Sequence, residues 1–369
     1  MDMTRLLPCI ALSLAAVACA PTDRSAQSIT TDTVAPIATL QPNQIIVQPP
    51  QSAELATRCD NAIQGKSMRI DVTDDDNRVA FVHTEPKLML EGHLLSLTYS
   101  SDGCRVAVVT EKANPTSLAS DNAWAHKTLW AIDLPNRKIM LKQPLLTEAM
   151  QRGEVDTGTA SGGRPYEMIF SISGTNIQWS PDDQKLAFAS AHDGPSSDLY
   201  VFDSATNQLL RLTDGPTQIG DVHWSPDGKW IYHQAIKNFG TGAGWSVDSV
   251  WVAAADGSAN RKLIDESEQG VVFISWHTPT EIILADSTPV APNAIRLLNI
   301  ETGIQTSLFA GTYYTAQLDA KQNRLLVSDW PVNSGSAQNT PRVYRLWSVP
   351  LSGGAPTQLK QSTDGPISP

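Results

Sequence analysis

Basic residues are scarce in this chain. Lys and Arg number 27 against 38 Asp and Glu, giving a net charge of −11 at pH 7. A nucleic-acid backbone needs a basic face to bind, so nucleic acid is excluded as a partner. Charge of either sign is thin, at 18% of residues against 41% hydrophobic. No apolar run is long enough to cross a bilayer as a helix. Helical apolar periodicity is also scarce, whereas Pro (24), Gly (23) and Trp (10) are plentiful. That balance points to an all-β protein with many turns. The 369 residues suffice for one large domain or two ordinary ones.

Catalytic signatures are missing as well. There is no Gly-x-Ser-x-Gly nucleophile turn, no His-Glu-x-x-His, no phosphate-binding Walker loop and no Cys-x-x-Cys pair. Seven histidines are scattered, and His223 and His277 flank tryptophans. A channel metal site could be built from such residues, but isolated strand histidines more often make structural hydrogen bonds. The run Asp74-Asp75-Asp76 lacks the ligand spacing of a Ca²⁺ loop and reads as a solvated turn. No cofactor and no metal site are expected, and the chain reads as a non-enzyme.

Cysteine is nearly absent, with four in all. Residues 1–18 read as a secretory signal: one Arg, an apolar stretch from Leu6 to Val17, then small residues. Ala16-Val17-Ala18-Cys19 resembles a bacterial lipoprotein box, which implies that Cys19 carries the lipid. An ordinary signal peptide cut beside it is the alternative. Residues 19–58, rich in Pro, Thr, Ser and Gln, read as a flexible tether. Within it, Gln44-Ile45-Ile46-Val47 could add a strand to the domain at 59–369. Cys59 and Cys104 then remain, and an oxidising envelope would favour a disulfide between them, two buried thiols being the other possibility.

A repeat fills the rest. Its clearest copies are Trp179-Ser180-Pro181-Asp182-Asp183 and Trp224-Ser225-Pro226-Asp227-Gly228, each opening strand, tight turn, strand. Pro suits the second position of a type I turn, Asp bonds local backbone, and Gly accepts the closing conformation. A weaker copy runs Tyr99-Ser100-Ser101-Asp102-Gly103, and degenerate copies surround Trp276 and Leu318. The first copy is read at Ile70–Phe81, with Val72 as its anchor. An aromatic strand and a closing strand follow most copies. Four strands per unit and a spacing near 45 residues give a six-bladed β-propeller of four-stranded antiparallel blades. A seventh blade could hide at about 142–174.

The repeat resembles the WD40-like, TolB-type β-propeller family, most strongly over 174–265. The resemblance implies the fold and leaves the activity open. TolB itself carries an α/β domain before its propeller, whereas a Pro-rich stretch stands here, so a TolB orthologue is not expected. Some serine peptidases join a similar propeller to an α/β-hydrolase domain, for which the chain leaves no room.

Tyr99, Trp179, Trp224 and Trp276, at one repeated strand position, are expected in the blade core. The long connections Glu111–Lys127, Lys237–Asp248 and Pro331–Arg342, with the 142–174 excess, all fall on the face opposite the Ser-Pro-Asp turns. Long loops on one rim of a rigid scaffold are a usual place for binding residues. The candidates there are Trp124, His126, Arg164, Tyr166, Phe239, Trp245 and Arg342, with Glu167 beside them. Aromatics and Arg anchor interfaces, and they also suit stacking on sugar; the aromatics could instead fold inward as caps. The expectation is an exported, membrane-anchored, monomeric scaffold facing the periplasm or cell exterior. It binds an envelope protein, alternatively a glycan; a propeller-borne lyase or hydrolase is the further alternative.

Overall fold

The computed structural model describes residues 44–47, 68–73, 78–81, 89–91, 93–112, 126–136, 138–148, 176–194, 196–238, 245–265, 270–286, 294–311, 313–329 and 343–369. All of them belong to one unit, Pro42–Pro369; the unit Met1–Gln41, on which the expected signal and Cys19 fall, lies outside the described residues.

The described strands form six four-stranded antiparallel sheets, each in simple sequential order. Sheet 1 holds β1 (Gln44–Val47), β2 (Met68–Thr73), β3 (Arg78–Phe81) and β4 (Met89–Glu91). Sheet 2 holds β5 (His93–Tyr99), β6 (Arg105–Lys112), β7 (His126–Asp133) and β8 (Lys138–Pro144). Sheet 3 holds β9 (Ile177–Trp179), β10 (Lys185–Ser190), β11 (Asp198–Asp203) and β12 (Gln208–Arg211). Sheet 4 holds β13 (Gln218–Trp224), β14 (Trp230–Asn238), β15 (Trp245–Ala254) and β16 (Asn260–Ile264). Sheet 5 holds β17 (Val271–Thr278), β18 (Glu281–Asp286), β19 (Ala294–Asn299) and β20 (Gln305–Ala310). Sheet 6 holds β21 (Tyr313–Asp319), β22 (Arg324–Asp329), β23 (Tyr344–Pro350) and β24 (Thr357–Ser362).

Burial follows strand position. The second strands read as continuous apolar runs because neighbouring sheets cover both of their faces. Leu186, Ala187, Phe188 and Ala189 are all fully buried, as are Ile282, Ile283, Leu284 and Ala285. Alternation sorts them between two interfaces. Leu186 and Phe188 pack with Ala107, Leu129 and Ala131 of sheet 2, while Ala187 and Ala189 pack with Ile231 and Ala253 of sheet 4. Large meets small at each interface, which keeps packing dense. The outermost strands are exposed and more polar, as in β24, Thr-Gln-Leu-Lys-Gln-Ser.

One expectation is corrected at the N-terminal end, and another, the strand at Gln44–Val47, holds. Val72 lies on β2, the second strand of sheet 1, so Ile70–Phe81 is not the first-strand repeat. Its pairing strand is β1, with Ile45 opposite Ile70. Residues 44–47, inside the bounds read as tether, are thus the first strand of sheet 1. The loops are also trimmed: β6 and β7 stay paired to Lys112 and His126, and β14 and β15 to Asn238 and Trp245. The excess between sheets 2 and 3 begins after Pro144, not at 142.

Candidate functional site

Strand direction divides the connections between two faces. First-to-second and third-to-fourth turns share one face; second-to-third loops and sheet-to-sheet crossovers share the other.

The short-turn face is locked by one device used three times. In sheet 3, Ser180 Oγ donates to Asp182 Oδ1 (2.6 Å) and accepts from Lys185 N (2.9 Å). Ser225 repeats this with Asp227 (2.7 Å) and Trp230 N (2.9 Å), and Ser100 with Asp102 (2.8 Å) and Arg105 N (2.8 Å). Each turn closes through a residue of positive φ: Gly103 at 68°, Asp183 at 59° and Gly228 at 70°. Glycine takes that conformation freely; Asp183 is strained there. Its carboxylate accepts from Ser101 N (2.7 Å), Ser101 Oγ (2.7 Å) and Asp102 N (3.0 Å), and Arg105 donates to its carbonyl (2.6 Å). Asp183 therefore ties the turn of sheet 3 to that of sheet 2. Asp183→Ala keeps the strain and loses the bonds, whereas Asp183→Gly loses the bonds but relieves the strain. Urea unfolding should show both variants destabilised, Ala by about 1 kcal/mol more than Gly; equal losses would dismiss the strain.

The expected core residues form a second device. Trp179, Trp224 and Trp276 are buried, and each indole N–H reaches a backbone carbonyl of the preceding sheet. Trp179 donates to Thr98 O (3.1 Å), Trp224 to Gln178 O (3.0 Å) and Trp276 to His223 O (3.2 Å). Each acceptor immediately precedes the anchor of its own sheet, so the first strands run side by side in one direction. Tyr99 is half-buried at the same position. Its hydroxyl finds no acceptor among the described residues, and burial raises its pKa. His223 stacks on Phe273 at 3.9 Å and meets Gln178 Nε2 through Nδ1 at 3.1 Å. Burial pushes its pKa down to about 4, so it is neutral at pH 7. His277 lies 3.9 Å from Glu281. Among the described residues no group of three or more His, Cys, Asp or Glu could hold a metal ion.

The opposite face carries a polar cluster that the repeat does not announce. Arg211, ending β12, joins Asp198 (2.6 Å), Asp214 (2.7 Å) and Asp193 (3.4 Å), while its Nε donates to Thr213 O (2.8 Å). The Tyr200 hydroxyl donates to Asp193, and the His192 ring leans on Tyr200 at 4.5 Å. Asp198 is buried; burial raises its pKa, against the opposing pull of Arg211. With its guanidinium so engaged, Arg211 offers no anion site. The cluster presents the carboxylates of Asp193 and Asp214, acceptors for a cationic or donor-rich partner. Ser190 contacts His192 Nδ1 at 2.9 Å but is fully buried, so it cannot serve as a nucleophile. A faint signal was present: His192-Asp193-Gly194-Pro195 and Thr213-Asp214-Gly215-Pro216 share Asp-Gly-Pro. Sheets 5 and 6 place Asp286 with Arg296 (2.8 Å) and Asp329 with Arg345 (3.3 Å) on the same side.

Of the expected binding residues, His126 and Trp245 begin β7 and β15 on this face, on strands rather than in loops. Trp124, Arg164, Tyr166, Glu167, Phe239 and Arg342 lie outside the described residues. Cys104, in the turn of sheet 2, is disulfide-bonded; Cys59 lies outside the described residues.

No protein-family model matches the chain. An uncharacterized peptidase, YuxL, of Bacillus subtilis is 35% identical over 74 residues, 20% of this chain and 11% of that protein. The chain spans less than half the length of the curated relatives it matches. Among solved structures, the β-propeller domain of the Trilobed protease from Pyrococcus furiosus is similar over 72% of this chain and 70% of its own, at 14% identity and TM-score 0.43. TolB from Acinetobacter baumannii is similar over 82% and 60%, at 14% identity and TM-score 0.35. The described four-stranded antiparallel sheets fit a β-propeller fold.

Proposed function

We propose that this propeller is a non-catalytic scaffold that engages a partner protein through the long-loop face. One observation supports this above others: the two faces are built for different tasks. The short turns are spent on mutual hydrogen bonds. Apart from the β1–β2 connection, the long connections, the extended hairpins β6–β7 and β14–β15 and the Asp193–Asp214 rim open on the other side.

Charge specifies the partner further. The inter-strand connections of the long-loop face carry thirteen Asp and Glu against three Arg. Those of the short-turn face carry nine acids against six bases. The partner is therefore a protein with a basic surface, steered in by the field of this face. Export by the N-terminal signal and a lipid on Cys19 would hold the scaffold at the cell envelope.

Photo-crosslinking in intact cells tests the reading, with the probe at position 245 on the long-loop face or at position 227 on the short-turn face. A discrete protein adduct from 245 alone is expected. An adduct from 227 alone, or from neither, would overturn the proposal; the second result would turn attention to glycans and catalysis.

A further inference from the structure

We infer that sheets 2 and 3 are clamped to each other at both faces, and that the clamp holds their seam closed without help from the chain that joins them. The connection between β8 and β9, residues 145–176, is 32 residues long. Those between sheets 3 and 4 (212–217) and between sheets 4 and 5 (265–270) are six residues each. A longer connection fixes the separation of its ends less tightly. The seam that the chain constrains least is the one whose turns bond to each other.

On the short-turn face the clamp is Asp183, a buried residue of sheet 3. Its carboxylate takes the N–H and the hydroxyl of Ser101 and the N–H of Asp102, and its carbonyl takes Arg105, all from sheet 2. The next seam lacks the groups for this. Pro181 stands where sheet 2 has Ser101, with neither N–H nor hydroxyl to give, and Gly228 stands where sheet 3 has Asp183. Those two turns also approach, since a Cβ on Gly228 would lie 3.7 Å from Pro181 Cδ. Acceptor and donors thus occur together at one seam and are absent together at the next. A buried carboxylate facing a proline would be left uncompensated. On the long-loop face the clamp is a main-chain stitch. Leu145 is fully buried; its N–H donates to Lys127 O in β7 (2.9 Å), and its carbonyl accepts from Ala191 N, just past β10 (2.9 Å). Ser190 Oγ reaches the same carbonyl (3.3 Å), and Leu146 forms a parallel bridge with Ala191. Between the two ends, Ala107, Leu129 and Ala131 of sheet 2 pack on Leu186 and Phe188 of sheet 3. The stitch is complete by Leu146, at the start of the connection.

The test cuts the purified full-length chain at this seam. A specific protease sequence is inserted between Gly162 and Gly163 and cleaved to completion, which leaves sheets 1 and 2 on one piece and sheets 3 to 6 on the other. The pieces should elute together on size exclusion, at the position of the uncut chain. Separation or aggregation of the pieces would overturn the clamp. Asp183→Gly should raise the dissociation constant of the pieces by about tenfold or more, because it removes bonds to a charged group. Ser101→Pro installs the residue that the turns of sheets 3 and 4 already carry, and it should weaken the cut chain likewise. In the Asp183→Gly background, Ser101→Pro should add less than about twofold, because the two act through one set of bonds. An unchanged dissociation constant for either single variant, or losses that multiply in the double variant, would show that this pair does not hold the seam. No partner is present in these measurements, so neither result bears on the binding role.

Discussion

Replacing Trp224 with Ala is expected to cost about 4 kcal/mol and to lower the melting temperature by several degrees. The indole is 7% exposed and packs in a cluster with Ile219, Val222, Ile231 and Ala253. Truncating an aromatic side chain in such a core costs roughly 3–5 kcal/mol. The hydrogen bond to Gln178 O, which ties two sheets together, is lost as well. Trp224→Phe separates the two terms: it keeps most of the packing and loses the bond, so about 1 kcal/mol is expected. Urea unfolding at pH 7 reads both variants. An unchanged midpoint for Trp224→Ala would show that the ladder of indoles does not hold the sheets together.

Acid should unfold the protein through buried histidines. His223 and His233 both have pKa values lowered by burial to about 4, from an ordinary 6.5. His233 is 2% exposed, meets Asn260 at 3.2 Å and stacks against Trp251. Above pH 6.5 both states are neutral at these positions and nothing is lost. As pH falls below 6.5 the unfolded chain takes up protons first, and stability declines. The decline ends near pH 4, where the folded histidines also protonate. Each depressed histidine contributes a loss of up to about 3 kcal/mol across that window. The urea midpoint should therefore fall steeply between pH 6.5 and 4.5. In His233→Gln the fall should be shallower by nearly half. A midpoint flat over that range would contradict the burial of both rings.

The parts legible in the sequence are those written in contiguous residues. Ser225-Pro226-Asp227-Gly228 encodes its turn because serine, carboxylate and glycine act within five positions, and the bonds of Ser225 and Asp227 follow that logic. Trp179, Trp224 and Trp276 were recognisable as core from their common position. Their indole bonds were not, because each joins residues about 50 to 80 positions apart. Sheet 1 misled for a related reason. Ile70–Phe81 looks like a strand pair opening a blade, but the defining partner is β1, across the connection 48–67. The rim cluster was hidden because Asp193, Asp198, Tyr200, Arg211 and Asp214 come from three segments. Only Arg211, bound to three carboxylates at once, reveals them as a unit.

The most direct test of the central claim reads folding and partner contact together. Alanine is placed in turn at Trp124, Tyr166, Phe239 and Arg342, with the melting temperature and the yield of the position-245 adduct measured for each. The account predicts near-native melting temperatures and an adduct lost or strongly reduced in at least one variant. Lowered melting temperatures with an undiminished adduct would contradict it, because the loop aromatics would then be caps folded onto the domain.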